Sequence, residues 1–148
     1  MIAENVDKRE ILEKLKKYGI TEIPFLLIKS GAEKIRAFSG DINKEQIEKI
    51  RNAVYVETIG IYFAKIDGED IRLSLDALHL LKSQLKHNII ELDDKQTEEY
   101  LQGKEPSLKE DKEKIYYILK HKEDILGMAK IVNKQIKNYL PKERRRKC

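Results

Sequence analysis

The dipeptide Asp67-Gly68 stands between two short runs rich in β-branched and aromatic residues, Ile59-Gly60-Ile61-Tyr62-Phe63-Ala64 and Ile71-Arg72-Leu73-Ser74-Leu75. Asp-Gly suits the positive φ angles of a tight two-residue turn, so the pattern predicts a β-hairpin. A second hairpin follows the same logic. Ile115-Tyr116-Tyr117-Ile118-Leu119 and Ile125-Leu126-Gly127-Met128-Ala129-Lys130-Ile131 flank the turn Lys122-Glu123-Asp124. Between the hairpins, Ser74 or Asp76 caps a short helix through Leu78, Leu80, Leu81 and Leu85. His87-Asn88 then turns into a strand over Ile89-Ile90-Glu91-Leu92. Asp93, with Gln96 three residues later, has the spacing of a capping box for another short helix that Gly103 ends. Residues 104–114, charged and containing Pro106, read as an exposed loop. Short strands interleaved with two short helices point to a small, mostly β, barrel-like domain over residues 54–148.

Residues 1–53 have a different texture. Asp7 and Glu10 are spaced as a capping box, and Ile11, Leu12, Leu15 and Tyr18 follow at helical intervals up to Gly19. Phe25-Leu26-Leu27-Ile28, behind Pro24, fits a short strand or a helix with proline in its first turn, and periodicity does not choose. Ile35 to Ala37 read as a strand closed by Ser39-Gly40. Asn43, with Gln46 three later, opens a second helix carrying Ile47 and Ile50. The expected fold class is α+β: a small N-terminal α/β unit over 1–53, then a mostly β pseudo-barrel with two short helices. No flexible linker separates the two, so they are expected to pack together.

Composition narrows the class. The chain has 148 residues, 20 of them Ile, and no Trp, so its core must be aliphatic. Abundant Lys, Glu and Ile is a thermophile-like composition. Cys148 is the single cysteine, which rules out an internal disulfide and fits a reducing compartment. No apolar run approaches the roughly 18 residues of a membrane span. Met1 to Lys8 carries two acids and no apolar core of a secretory signal, so a cytoplasmic protein is expected. His79, His87 and His121 lack the close spacing of a zinc site, and Asp93-Asp94 reads as a capping turn rather than a catalytic carboxylate pair. No Gly-x-Gly-x-x-Gly loop is present, so no metal, cofactor or catalytic residue is expected.

Charge is distributed unevenly. From Leu126 to Cys148 there are eight Lys/Arg and one acid, whereas the preceding 125 residues hold 22 Lys/Arg and 25 Asp/Glu. A cluster of this density is the electrostatic footprint of a polyanion binder, because each cation set on a phosphate releases a condensed counterion. A frayed, solvated tail would also be basic. Such a tail, however, has no need of the defined side chains in Lys137-Asn138-Tyr139-Leu140-Pro141-Lys142. The candidate phosphate contacts are Lys130, Lys134, Lys137 and Lys142 as point charges and Arg144, Arg145 and Arg146 as bidentate or stacking groups. Asn138 either reads a base edge or caps the turn. Arg72 either pairs locally with Glu69 or Asp70 or contacts a phosphate. In Tyr116-Tyr117, alternation sends one ring outward, where it offers a surface for base stacking. Removing the residues beyond Lys142 is expected to leave the fold intact.

Two sets of segments carry a family resemblance. Gly60-Ile61-Tyr62-Phe63-Ala64-Lys65 with Ile71-Arg72-Leu73-Ser74-Leu75-Asp76-Ala77 is similar to the Nip-type ribosome biogenesis factors, which join a small α/β domain to a PUA domain. Leu126-Gly127-Met128-Ala129-Lys130 with Lys137-Asn138-Tyr139-Leu140-Pro141-Lys142 resembles the C-terminal PUA-like domain of the Nol/Nop/Sun RNA cytosine-5 methyltransferases. With Glu91-Leu92-Asp93 and Tyr100-Leu101-Gln102-Gly103, the similarity covers residues 54–146. It implies a PUA-like fold for 54–148, a pre-PUA-like N-terminal domain, and binding of structured RNA such as rRNA or tRNA. Those methyltransferases act through a cysteine nucleophile on a Rossmann-type domain, and neither is found here. The resemblance therefore implies the RNA-binding appendage without the enzyme, in rRNA/tRNA modification or ribosome biogenesis. The alternative is a protein-interaction subunit that docks on a separately encoded RNA methyltransferase or assembly factor through an apolar patch on residues 20–28.

Overall fold

The computed structural model describes residues 3–38 and 61–146. The Ser39-Gly40 turn, the helix expected after Asn43, the strand at Val54 to Val56 and the boundary between residues 53 and 54 lie outside the described residues. The chain divides into two compact units, Met1–Leu85 and Lys86–Cys148. The fold class is α+β, with strands in two sheets and a few short helices.

The first unit contains β1 (Ala3–Asn5), α1 (Lys8–Leu15), β2 (Leu26–Ser30), β3 (Lys34–Phe38), β4 (Ile61–Asp67), β5 (Asp70–Leu73) and α2 (Leu75–Leu80). Its strands form one antiparallel sheet in the order β1-β2-β3-β4-β5. The Asp7 carboxylate caps α1 by accepting the Arg9 amide at 3.0 Å, one residue earlier than a capping box requires. A 3₁₀ turn, Lys16–Tyr18, then leads to the left-handed Gly19. The segment behind Pro24 is a strand. Ser74, rather than Asp76, caps α2: its hydroxyl accepts the Ala77 amide at 3.1 Å and donates to the Tyr62 carbonyl at 2.7 Å. Ile11, Leu15, Ile20, Ile35, Ile71 and Leu78 are buried, an interior that is largely aliphatic as expected without tryptophan but also holds the aromatic rings of Tyr18 and Phe63.

The expected hairpin forms, but Asp67 pairs with Asp70, so its two-residue turn is Gly68-Glu69, with Gly68 at φ +59°, rather than Asp67-Gly68. Its first strand, β4, pairs with β3, matching Lys34 with Lys65 and Ala37 with Ile61. This hairpin therefore belongs to the sheet of the first unit, whereas sequence pattern alone grouped it with the C-terminal half. Local turn chemistry specifies a hairpin, but nothing local specifies which third strand its open edge will bind.

The second unit contains β6 (Ile89–Glu91), α3 (Asp94–Leu101), β7 (Tyr116–His121), β8 (Asp124–Val132) and β9 (Gln135–Ile136), in sheet order β6-β7-β8-β9. β6 and β7 run parallel, with Ile89 opposite Ile118, and α3 lies within the crossover between them. The capping box at Asp93 and Gln96 is complete in both directions. β9 is an addition to the expected elements. Asn133 and Lys134, at φ +52° and +65°, make a two-residue turn between Val132 and Gln135. Ile90, Leu92, Tyr100, Tyr117, Leu119, Ala129, Ile131, Ile136 and Leu140 form the core of this unit.

Gly127 occupies a position closed to other residues. The register jumps between Leu119/Lys120, with Leu119 opposite Gly127 and Lys120 opposite Ile125, so Leu126 is an extra residue in β8. At this bulge Gly127 takes φ +145°, and a Cβ there would stand 3.2 Å from the Tyr100 hydroxyl. Gly127→Ala would combine a rarely populated backbone conformation with that contact. It is expected to lower stability by about 1–3 kcal/mol, read as a lower denaturant midpoint at unchanged m-value.

Candidate nucleic-acid interface

The basic segment after β9 is fastened to the second unit. The Lys137 amide donates to the Lys130 carbonyl at 2.9 Å, which starts the segment along β8. Asn138 is the main latch: its Nδ2 donates to the carbonyls of Tyr100 (2.7 Å) and Lys104 (2.8 Å), and its Oδ1 accepts the Leu140 amide at 2.8 Å. Both Nδ2 protons and the amide oxygen are thereby used inside the fold. Of the two roles open to Asn138, the geometry is that of turn closure. After Pro141 a single 3₁₀ turn, Lys142–Arg144, brings the chain back toward α3. The Arg146 amide donates to the Leu101 carbonyl at 2.6 Å, and its guanidinium reaches Glu98 at 2.9 Å.

Arg145 lies across Gly103. Its Nε donates to the Leu140 carbonyl at 2.9 Å. A Cβ on Gly103, which sits at φ +89°, would come within 2.6 Å of the Arg145 Cδ. The left-handed glycine that ends α3 thus also gives this side chain its seat. These contacts overturn the expectation that residues beyond Lys142 are separable from the fold. The Arg146 amide supplies the bond to the Leu101 carbonyl at the C-terminal end of α3, and Arg145 ties the tail to its own Leu140 carbonyl.

The remaining candidates differ in how engaged they are. The Lys137 ammonium stands 3.4 Å from Glu105. The Lys134 amide donates to Asp111 at 3.2 Å, while the residue itself is exposed on the β8–β9 turn. Lys142 and Arg144 are exposed, and among the described residues their side chains have no ion-pair partner. The Lys130 ammonium lies 4.8 Å from the centroid of the Tyr116 ring. Lys130, Lys134, Lys137, Lys142 and Arg144 therefore belong to one stretch of backbone held by hydrogen bonds. Arg72 lies in the first unit, on β5 opposite Lys65. Asp70, one of the acids expected beside it, is bound to Lys17 at 3.0 Å.

Neither ring of Tyr116-Tyr117 faces outward, because β7 is an inner strand covered on both faces. Tyr116 is 3% exposed and Tyr117 8%. Burial raises the Tyr117 hydroxyl above its ordinary pKa, and the charge of Glu113 adds to the shift. The accessible ring is Tyr139, tilted 55° against Tyr116 with centroids 5.9 Å apart. The reading of residues 20–28 as a docking patch also meets the core, since Ile20, Ile23, Leu27 and Ile28 are buried.

The Asp93-Asp94 pair divides its work. Asp93 caps α3, and Asp94 accepts a bond from His121 Nε2 at 2.7 Å. A carboxylate only accepts, so Nε2 carries the proton. The bond from His121, followed by the charges of Lys122 and His121, holds the Asp94 carboxyl below its ordinary pKa of 3.8. A lowered folded-state pKa contributes stability above the unfolded value, and that contribution is lost as pH falls through the folded value. Thermal melts should therefore show wild type above Asp94→Asn at pH 6, with the difference shrinking as pH falls below the ordinary carboxylate range. Among the described residues, no group of three His, Cys, Asp or Glu could hold a metal ion. Among the same residues, no helix is long and apolar enough to cross a membrane.

A parallel-edged four-stranded sheet, a capped crossover helix and a latched basic tail give the second unit an architecture consistent with a PUA-like domain. Its residues 87–146 match the family model described as the PUA domain of methyltransferase RsmF. That match begins one residue inside the second unit and ends at the last residue described. It agrees with the resemblance of the tail to the Nol/Nop/Sun methyltransferase C-terminal domains. A PUA domain is a non-catalytic RNA-binding module. No curated protein matches the chain.

Proposed function

We propose that the protein binds structured RNA, without catalysis of its own, as a component of rRNA/tRNA modification or ribosome biogenesis in the cytoplasm. In this reading the RNA-binding module is the second unit, Lys86–Cys148, rather than the whole of residues 54–148 expected from the sequence. The observation that carries it is the fastened tail, in which five candidate cations follow a backbone that hydrogen bonds hold in place. Preset cations lose less conformational freedom on meeting a phosphate than those of a frayed tail. Lys142, Arg144 and Lys134 are the principal phosphate contacts, with Lys130 beside them. The exposed ion pairs of Lys137 with Glu105 and Arg146 with Glu98 are each worth only about 0–1 kcal/mol, so a phosphate can displace the carboxylate. Asn138 serves the site by positioning its neighbours, and Arg72 is the contact that the first unit contributes. The partners are rRNA or tRNA, and an RNA methyltransferase or assembly factor where the protein joins a larger machine.

Titration of a tRNA and an rRNA hairpin from 50 to 200 mM salt tests the reading. Each neutralised phosphate contributes about 0.7–0.9 to the slope of log K against log salt, so four contacts give a slope near −3. A flat dependence rules the proposal out.

A further inference from the structure

Tyr139 is one of three large apolar side chains exposed among the described residues, with Ile61 and Leu80, and it is the only aromatic of the three. Its surroundings set it apart further. The Tyr139 ring is 41% exposed yet rests on the buried Tyr116, 5.9 Å between centroids. The Lys130 ammonium stands over that same Tyr116 ring at 4.8 Å. Asn138, immediately before Tyr139, makes three side-chain hydrogen bonds, and Leu140, immediately after it, is buried. The ring is thus held from both sides and from beneath. Exposed Lys142 and Arg144 follow within five residues.

A fixed aromatic face among cations matches one ligand chemistry closely: a flat base whose neighbouring phosphates are negative. A protein partner would need a broader apolar area, and Leu140 beside the ring is already buried. A base inside an A-form helix has both faces occupied, so the ring can accept only an unpaired one. From this we infer that Tyr139 is a stacking platform for a single unpaired nucleotide of the bound RNA, with Lys130 and Lys142 on the flanking phosphates. The inference rests on the RNA-binding reading and narrows it. The preferred ligand is a duplex interrupted or ended by an unpaired nucleotide, selected for its unpaired state rather than its sequence, since every base offers a π face.

The test uses the full chain and three RNA hairpins that differ only in their unpaired bases: fully paired, with one bulged adenosine, and with a two-nucleotide overhang. At least one interrupted hairpin should bind wild type about tenfold or more tighter than the paired one. Tyr139→Leu keeps an apolar cover over Tyr116, so it should fold, erase that gain and leave the salt slope unchanged. Tyr139→Trp should keep the gain. The chain has no other tryptophan, so quenching of this lone indole reports stacking directly. Quenching by the interrupted hairpin and not by the paired one is the expected result. Equal wild-type affinity for all three hairpins with a steep salt slope would remove the stacking platform and leave RNA binding standing. Absence of salt-dependent binding to any hairpin would overturn both.

Discussion

Asn138→Ala should lower the stability of the protein by about 2–3 kcal/mol, the cost of leaving partly buried polar groups unmet. Three bonds are lost at once: those to the Lys104 carbonyl and the Leu140 amide, and one of the two at the Tyr100 carbonyl, which keeps the Gly103 amide. Two of the three bonds are partly buried and one is exposed, which keeps the figure below the sum of three fully buried losses. Asn138→Asp separates the contributions. An aspartate can still accept the Leu140 amide, but it turns a second acceptor toward two carbonyls, so it should cost at least as much as alanine. Chemical denaturation reads both variants. RNA affinity should fall in proportion, because the tail cations lose their frame. If Asn138→Ala kept full stability and lost only RNA affinity, the residue would be a base reader after all.

The second large effect concerns charge rather than packing. In the triple variant Lys134→Gln, Lys142→Gln and Arg144→Gln, all three side chains are exposed, so the folded state should keep its melting temperature within a degree or two. The slope of log K against log salt should nonetheless fall by about 2–3 units, because each lost phosphate contact removes about 0.7–0.9. The loss should be uniform across RNA sequences, as expected of contacts that see only the backbone. Arg146→Gln is the natural control. Its guanidinium is engaged with Glu98, so its removal should change the slope less than removal of Arg144. An unchanged slope in the triple variant would move the RNA surface away from the tail.

The sequence was most legible where the governing interactions are local. The capping box at Asp93 and Gln96, the hairpin turn with Gly68 at positive φ and the left-handed Gly103 each depend on residues within a few positions. Each appears in the structure as the residue types require. The two-residue turn at Asn133-Lys134 was equally local, and the signal was an asparagine at a position needing positive φ. Tyr116 and Tyr117 illustrate a different limit. Alternation sends one of two neighbouring rings outward only when one face of the strand meets solvent. β7 has β6 parallel on one side and β8 on the other, and it is buried on both faces. The continuous run Tyr116-Tyr117-Ile118-Leu119 is the pattern of such an inner strand. Least legible were the long-range choices: β4 joining β3, and Arg145 and Arg146 returning to α3. Within the candidate site, the residue types and their clustering were readable from the sequence. Which cation is engaged, and which tyrosine is exposed, depends on partners that lie tens of residues away.

The latch on α3 also imposes an order on synthesis. The last carbonyls of this helix, those of Tyr100 and Leu101, are met by Asn138 and by the Arg146 amide. A ribosome adding about 5–20 residues per second needs a few seconds to reach Arg146 after completing Leu101. The β7–β8 hairpin closes within itself during that interval, and the Gly103 amide already meets the Tyr100 carbonyl, whereas the Leu101 carbonyl waits for the Arg146 amide. The nascent module therefore passes through a stage in which its sheet is largely paired and its helix is not yet secured. The basic tail ends that stage as it leaves the exit tunnel, so the same residues that are proposed to meet RNA also complete the fold.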